Sequence, residues 1–140
     1  MTPAQIDLVR STWAQVIPIA DTAAALFYGR LFELEPDVRR MFGPDMADQR
    51  RKLMQTLAVA VAALDKLETV RPALESLGRR HVDYGMRDHH YDLVGVALLW
   101  TLEQGLGAGF TGPVRDAWSD AYSALATIMR GAAASGERAA

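Results

Sequence analysis

The chain holds three histidines and no cysteine. All three imidazoles fall between His81 and His90. Without cysteine there is no thiolate nucleophile, disulfide framework, Cys-ligated zinc site or thiolate-held haem. His81 follows Leu74 and Leu77 at steps of three and four, so on a helix it shares their apolar face. Spacing leaves two readings for it: a hydrogen-bonded structural histidine, or a ligand pointing where the core points. His89 and His90 stand beside Asp88, but adjacent helical residues diverge by about 100° and make a poor chelate. No Gly-rich phosphate loop follows a strand pattern, and no His-Glu-x-x-His pair occurs. Ser11, Ser76, Ser119, Ser123 and Ser135 lack a nucleophile-elbow sequence around them.

The elements that must position these residues read as helices nearly throughout. Thr2-Pro3-Ala4-Gln5 fits a capping box with proline at the first helical position. Ile6, Val9, Trp13, Val16 and Ile17 then form one stripe. After a corner at Pro18 and Asp21, a second helix carries Ala24, Phe27, Tyr28, Leu31 and Phe32. Pro36 holds Glu35 extended and ends that helix, a short one follows, and Gly43-Pro44-Asp45 breaks the chain again. The longest uninterrupted helical pattern runs from about Ala47 to Leu67. Arg71-Pro72 is expected to open the helix of Leu74, Leu77 and His81, with Gly85 closing it in a left-handed conformation. Asp88 is the expected cap of the next helix, apolar almost all round through Val94, Leu98, Leu99 and Leu102, as central helices are. Gly105, Gly107, Gly109 and Gly112 form a loop before a last helix from Pro113. The tail from about 132 to 140 is small and polar and is expected to fray. Gly29 and Gly95 cost their helices about 1 kcal/mol each, which points to close helix crossings.

Composition bounds the rest. A chain of 140 residues, half of them hydrophobic, suits one all-α domain spanning 1–140. Fifteen lysines and arginines against 17 acids leave a net charge of -2, with no global pull toward nucleic acid or an anionic membrane. The apolar runs Leu53 to Leu64 and Leu93 to Trp100 are too short for membrane insertion. Met1-Thr2-Pro3 lacks a basic-then-apolar secretory run, so a cytoplasmic location is expected.

In order, the chain contains Leu26-Phe27-Tyr28-Gly29-Arg30-Leu31-Phe32, Glu35-Pro36-Asp37 through Met41-Phe42, Asp48-Gln49-Arg50, Leu77-Gly78-Arg79-Arg80-His81, Tyr91-Asp92-Leu93-Val94-Gly95, and Ala117-Trp118 through Ala121-Tyr122. This succession resembles the globin family over essentially the whole chain. It is most similar to the single-domain bacterial globins, relatives of neuroglobin and of the haem domain of flavohaemoglobins. The resemblance implies the globin fold, helices A to H packed around a haem pocket, with haem b (iron protoporphyrin IX) as cofactor. It makes His81 the proximal ligand to the iron and Phe42 the aromatic against the porphyrin face. It places Leu53, Leu57, Leu77, Met86, Tyr91, Val94 and Leu98 around the haem, and Lys52, Arg79 and Arg80 near its propionates. Exposed charge pairs of that kind contribute little. Without the resemblance, Phe42 reads as an ordinary core residue and Tyr28 as a buried tyrosine bonded to a carbonyl.

The resemblance puts the distal side on Tyr28 and Gln49, with Leu53 one turn on. No histidine lies in the segment from Ala47 to Leu67, so the two-histidine state of neuroglobin is not expected and the ferrous form should be five-coordinate. A ferrous haem shifts negative charge onto oxygen and much less onto carbon monoxide, so a phenol donor in a dry pocket favours oxygen. Such a bond is worth roughly 1.5–3 kcal/mol, or about ten- to a hundredfold in affinity. Two functions follow: reversible binding of oxygen for storage, transport or sensing, or nitric oxide dioxygenation to nitrate with an external reductase. Diatomic gases (oxygen, carbon monoxide, nitric oxide) are the expected partners of either. The flavohaemoglobin glutamate that tunes the proximal histidine is replaced here, at the matching place, by Ala133. A helical interaction domain without cofactor is the third reading, and a Soret band excludes it.

Overall fold

The computed structural model of the chain describes residues 1–139, with side chains through residue 134. Helix α1 (Pro3–Val16) starts on the expected capping box: Thr2 Oγ1 accepts from Gln5 N–H at 3.1 Å, and Gln5 Oε1 accepts from Thr2 N–H at 3.0 Å. A 3-10 turn carrying Pro18 leads into α2 (Ala20–Leu34), which ends where Pro36 holds Glu35 at φ -144°, ψ 86°. A 3-10 segment (Pro36–Met41) turns the chain to Phe42, which is extended.

Helix α3 (Ala47–Ala62) stops short of the expected Leu67, for a tertiary reason. The Arg10 guanidinium of α1 reaches over its end, donating to Val61 O at 3.3 Å and Ala62 O at 2.8 Å and pairing with Asp65 at 2.8 Å. A distant arginine thus satisfies carbonyls that a continuing helix would have satisfied. Helix α4 (Leu67–Asp83) begins earlier than Arg71-Pro72 and keeps Pro72 inside it. Thr69 Oγ1 donates to Lys66 O at 2.7 Å and Leu67 packs on the core, so the turn ahead of the proline has its own anchors.

Gly85 closes α4 as expected, at φ 95°. Met86 N–H donates to His81 O at 2.9 Å and Gly85 N–H to Val82 O at 3.0 Å, the paired bonds of a Schellman ending. Helix α5 (Asp88–Leu106) is capped by Arg87 rather than by Asp88, because His90 Nδ1 accepts from Arg87 N–H at 2.8 Å and takes the place of a capping glutamate. Helix α6 (Gly112–Ala139) is the longest, and Ala132 on it is buried. The expected frayed tail falls on its end and, in part, outside the described residues.

Six α-helices and no strand occur among the described residues. Helix α4 packs on α6, α2 on α5 and on α3, and α1 on α6, around a core of Val9, Trp13, Phe27, Leu31, Val61, Leu98, Leu102 and Trp118. Trp118 Nε1 donates to Thr12 Oγ1 at 2.8 Å, so the two polar atoms buried beside Trp13 satisfy each other. Among the glycines the closest approach is at Gly78, where a Cβ would stand 2.5 Å from Met129 O. Gly95 also faces a crossing, against the Tyr122 ring, but Gly29 does not: nothing lies within 4 Å of its missing Cβ. No helix in the described residues is long and apolar enough to cross a membrane.

Candidate haem site

His81 sits on the last turn of α4, half-buried. Its Nδ1 lies 2.6 Å from Leu77 O. A carbonyl only accepts, so Nδ1 carries the proton and Nε2 is left with its lone pair. Burial lowers the pKa, with a lesser push from Arg80, against the opposing Leu77 hydrogen bond. The ring is therefore neutral at pH 7, the form that ligates a metal, and its partner fixes the tautomer.

Elsewhere, α2 and α3 bring Tyr28 and Gln49 together. Gln49 Nε2 donates to Tyr28 Oη at 3.0 Å. The phenolic oxygen is an acceptor in that bond, so its own proton remains to be donated elsewhere. Burial raises the Tyr28 pKa more than the Gln49 bond lowers it, and the phenol stays protonated. Tyr28 is not bonded to a backbone carbonyl, the alternative that its sequence position left open.

An aromatic cage holds that phenol. Phe27 meets its ring edge-on at 5.1 Å and Phe42 at 5.4 Å, while Phe32 lies 6.0 Å away and 5.7 Å from Phe42. Edge-to-face contacts at these separations are favourable. Sequence reasoning missed the staple for the corner: Arg39 Nη1 donates to Phe42 O at 3.1 Å and Gly43 O at 3.0 Å, with its guanidinium over Phe32. An arginine three residues before the aromatic was the only local signal.

Leu53, Leu57 and Val94 are half-buried against the core, Leu98 is buried, and Leu77 and Met86 are half-buried. Helices α3 and α4 stand apart for most of their length, and a cavity of about 260 Å³ opens between them, lined by Thr56, Val59, Leu74, Leu77 and Arg80 among others. The cationic candidates separate here. Lys52 is exposed and paired with Asp48 at 3.1 Å, Arg80 borders the cavity, and Arg79 is exposed away from its lining.

Tyr91 is buried, and its hydroxyl is the one buried side-chain oxygen without a partner among the described residues. Its carbonyl accepts from Tyr122 Oη at 2.6 Å. Arg130 lies over the Tyr91 ring at 5.1 Å and pairs with Asp92 at 2.7 Å and Asp88 at 3.3 Å. A second contact that the sequence did not signal is therefore cationic, close to where Ala133 stands on the same helix.

The cleft between α3 and α4 is walled mainly by apolar side chains and bordered by Leu77 and Arg80, next to His81 in the chain; His81, Tyr28, Gln49 and Tyr91 are not in its lining. A neutral imidazole with Nε2 unprotonated beside such a cleft fits a flat apolar macrocycle with an iron centre. The globin family profile matches residues 25–129. The chain is 32% identical to neuroglobin-2 of Oncorhynchus mykiss over 152 aligned positions, covering 98% of this chain and 96% of that one. It is 30% identical to the neuroglobin of Tetraodon nigroviridis, covering 94% of this chain and 92% of that one. The fold is shared with a bacterial globin from Campylobacter jejuni, at a TM-score of 0.86 and 23% identity over 96% of this chain and 97% of that one. The chain belongs to the globin family and is a haem-containing protein that binds small gases.

Proposed function

We propose that this globin binds oxygen reversibly at a five-coordinate ferrous haem b, with His81 on the iron and Tyr28 donating to the ligand. When bound, a ferrous haem supplies reversible coordination of a diatomic gas. The residues supply the selectivity. His81 offers Nε2 because Leu77 O holds the other ring proton. Tyr28 keeps its proton at Oη, and Gln49 occupies an oxygen lone pair and steers the hydroxyl. Phe27, Phe32 and Phe42 restrict the phenol ring and exclude water from around it. With no cysteine among its 140 residues, the chain offers no thiol for a thioether bond to the haem. Arg80 rather than Lys52 is the cation for a propionate, since Asp48 already engages Lys52.

The Gln49-to-Tyr28 hydrogen bond carries this reading, because it leaves the phenol proton available. The same pair would serve nitric oxide dioxygenation with an external reductase. The place matched to the carboxylate that would make the proximal imidazole more basic is held by Ala133, which favours the binder. The test is oxygen dissociation from Tyr28→Phe, expected to be about ten- to a hundredfold faster than from the unaltered protein. An unchanged rate overturns the role of Tyr28, and a protein without a Soret band after hemin reconstitution overturns the whole reading.

A further inference from the structure

Glu35, His89 and His90 meet where α2 ends and α5 begins, one donor atom from each lying within 4.8 Å of the others. Helical neighbours usually diverge, yet the His89 and His90 ring centroids are only 4.1 Å apart. Such a trio suggests a metal site, but its hydrogen bonds argue otherwise. His90 Nδ1 accepts from Arg87 N–H at 2.8 Å, so the neutral ring carries its proton on Nε2. A metal needs a lone pair on that same nitrogen, and moving the proton to Nδ1 would set it against the Arg87 N–H. His89 and Glu35 alone leave two donors 3.8 Å apart. The cluster suits a proton better than a cation.

We infer that His90 is a pH-sensitive latch on the segment joining the helix of His81 to α5: a proton on Nδ1 turns the acceptor of the Arg87 N–H into a donor and releases that segment. Its consequence for ligand binding rests on the reading of His81 proposed above. The two consecutive amides of the segment are anchored in opposite directions, Met86 N–H to His81 O at 2.9 Å and Arg87 N–H to His90 Nδ1. Releasing the second leaves the chain beside His81 held from one side only.

The charged groups around the ring are Glu35 from the corner after α2, His89 on α5 and Arg87 in the segment itself. Arg130 of α6 is occupied by Asp88 and Asp92. Burial, then His89, holds the His90 imidazole below its ordinary value; Glu35 opposes them and Arg87 adds to them. The folded pKa is therefore lower than the unfolded one. The latch is closed at neutral pH and opens as pH falls through the lowered pKa, below about 6.5.

The experiment follows exchange of the Arg87 amide proton, corrected for intrinsic chemistry, in the haem-loaded, carbon-monoxide-bound ferrous protein, alongside oxygen dissociation. Between about pH 7.5 and 5.5 the wild type should lose about fivefold in protection, as for a lost helix cap, and its oxygen dissociation should change over the same range. His90→Gln keeps an acceptor at the third helical position but does not titrate, so both profiles should become flat. His90→Ala should show the acid-form exchange already at neutral pH. A pH-independent wild type, a His90→Gln protein with the same acid transition, or zinc binding that requires both His89 and His90 overturns the latch. A chain that binds no haem sinks the ligand-binding reading alone, and Arg87 exchange measured on it still decides the latch.

Discussion

The two halves of the candidate site, the His81 set and the Tyr28 set, are built differently. The His81 side is local: its ring bonds four residues back to Leu77 O, and Gly85 ends the same helix four residues on. The Tyr28 side joins residues 21 positions apart on separate helices and adds Phe42 from a third element. A local arrangement depends on one helix keeping its register. An assembled one depends on how three elements pack. Damage to α4 should therefore act on cofactor retention, and damage to the α2–α3 contact on ligand kinetics with the cofactor still in place.

The sharpest break in that comparison is His81→Ala, expected to abolish the Soret band of the purified protein or shift it to that of weakly held haem. An unaltered ferrous spectrum would mean that another group serves the iron. Next in size is the α4 crossing. Gly78→Ala puts a methyl 2.5 Å from Met129 O and should lower thermal stability by about 1–3 kcal/mol, carrying haem retention down with it. Gly29→Ala, with open space around it, should be neutral or stabilising by up to about 1 kcal/mol. Equal effects of the two in thermal melts would refute the crossing as the cause. Smallest is Gln49→Leu, which removes the donor to Tyr28 Oη. Oxygen dissociation should rise by about two- to tenfold, less than for Tyr28→Phe, since the phenol proton survives and only its steering is lost. A larger effect than that of Tyr28→Phe would make Gln49 the principal donor. At the other end of the pH scale, the burial that raises the Tyr28 pKa keeps its donor through neutral and mildly alkaline solution. The Tyr28-dependent part of oxygen dissociation should thus stay flat up to about pH 10.

The proline corner at Glu35-Pro36, the capping box at Thr2 and the left-handed Gly85 were all legible in the residues, because each is decided within one turn of chain. The C-terminal end of α3 was not: it depends on Arg10, 52 residues from the Ala62 carbonyl that it caps. Nor was the start of α4, where Thr69 Oγ1 donates to Lys66 O and Leu67 packs on the core. The Asp88 cap failed for a related reason: an acidic residue was the better cap by type, but the folded corner let His90 accept the Arg87 N–H instead. Arg39 and Arg130 escaped notice because an arginine's reach is not a property of its neighbours in sequence.

His81 as an imidazole on the apolar helix face, and the all-helical architecture around it, were determined by periodicity and residue type alone; that Leu77 O holds one ring nitrogen and leaves the other to spare is seen only in the fold. Sequence named Tyr28 and Gln49 as a pair only through resemblance. Tertiary packing decided which of them donates, that Asp48 takes Lys52 while Arg80 keeps to the cleft, and that His89 and His90 converge on Glu35. The physical reason is range. Backbone hydrogen bonding and helical period act over three or four residues, whereas the direction of a side-chain proton or the pairing of a cation is set by whichever group the fold brings within about 3 Å.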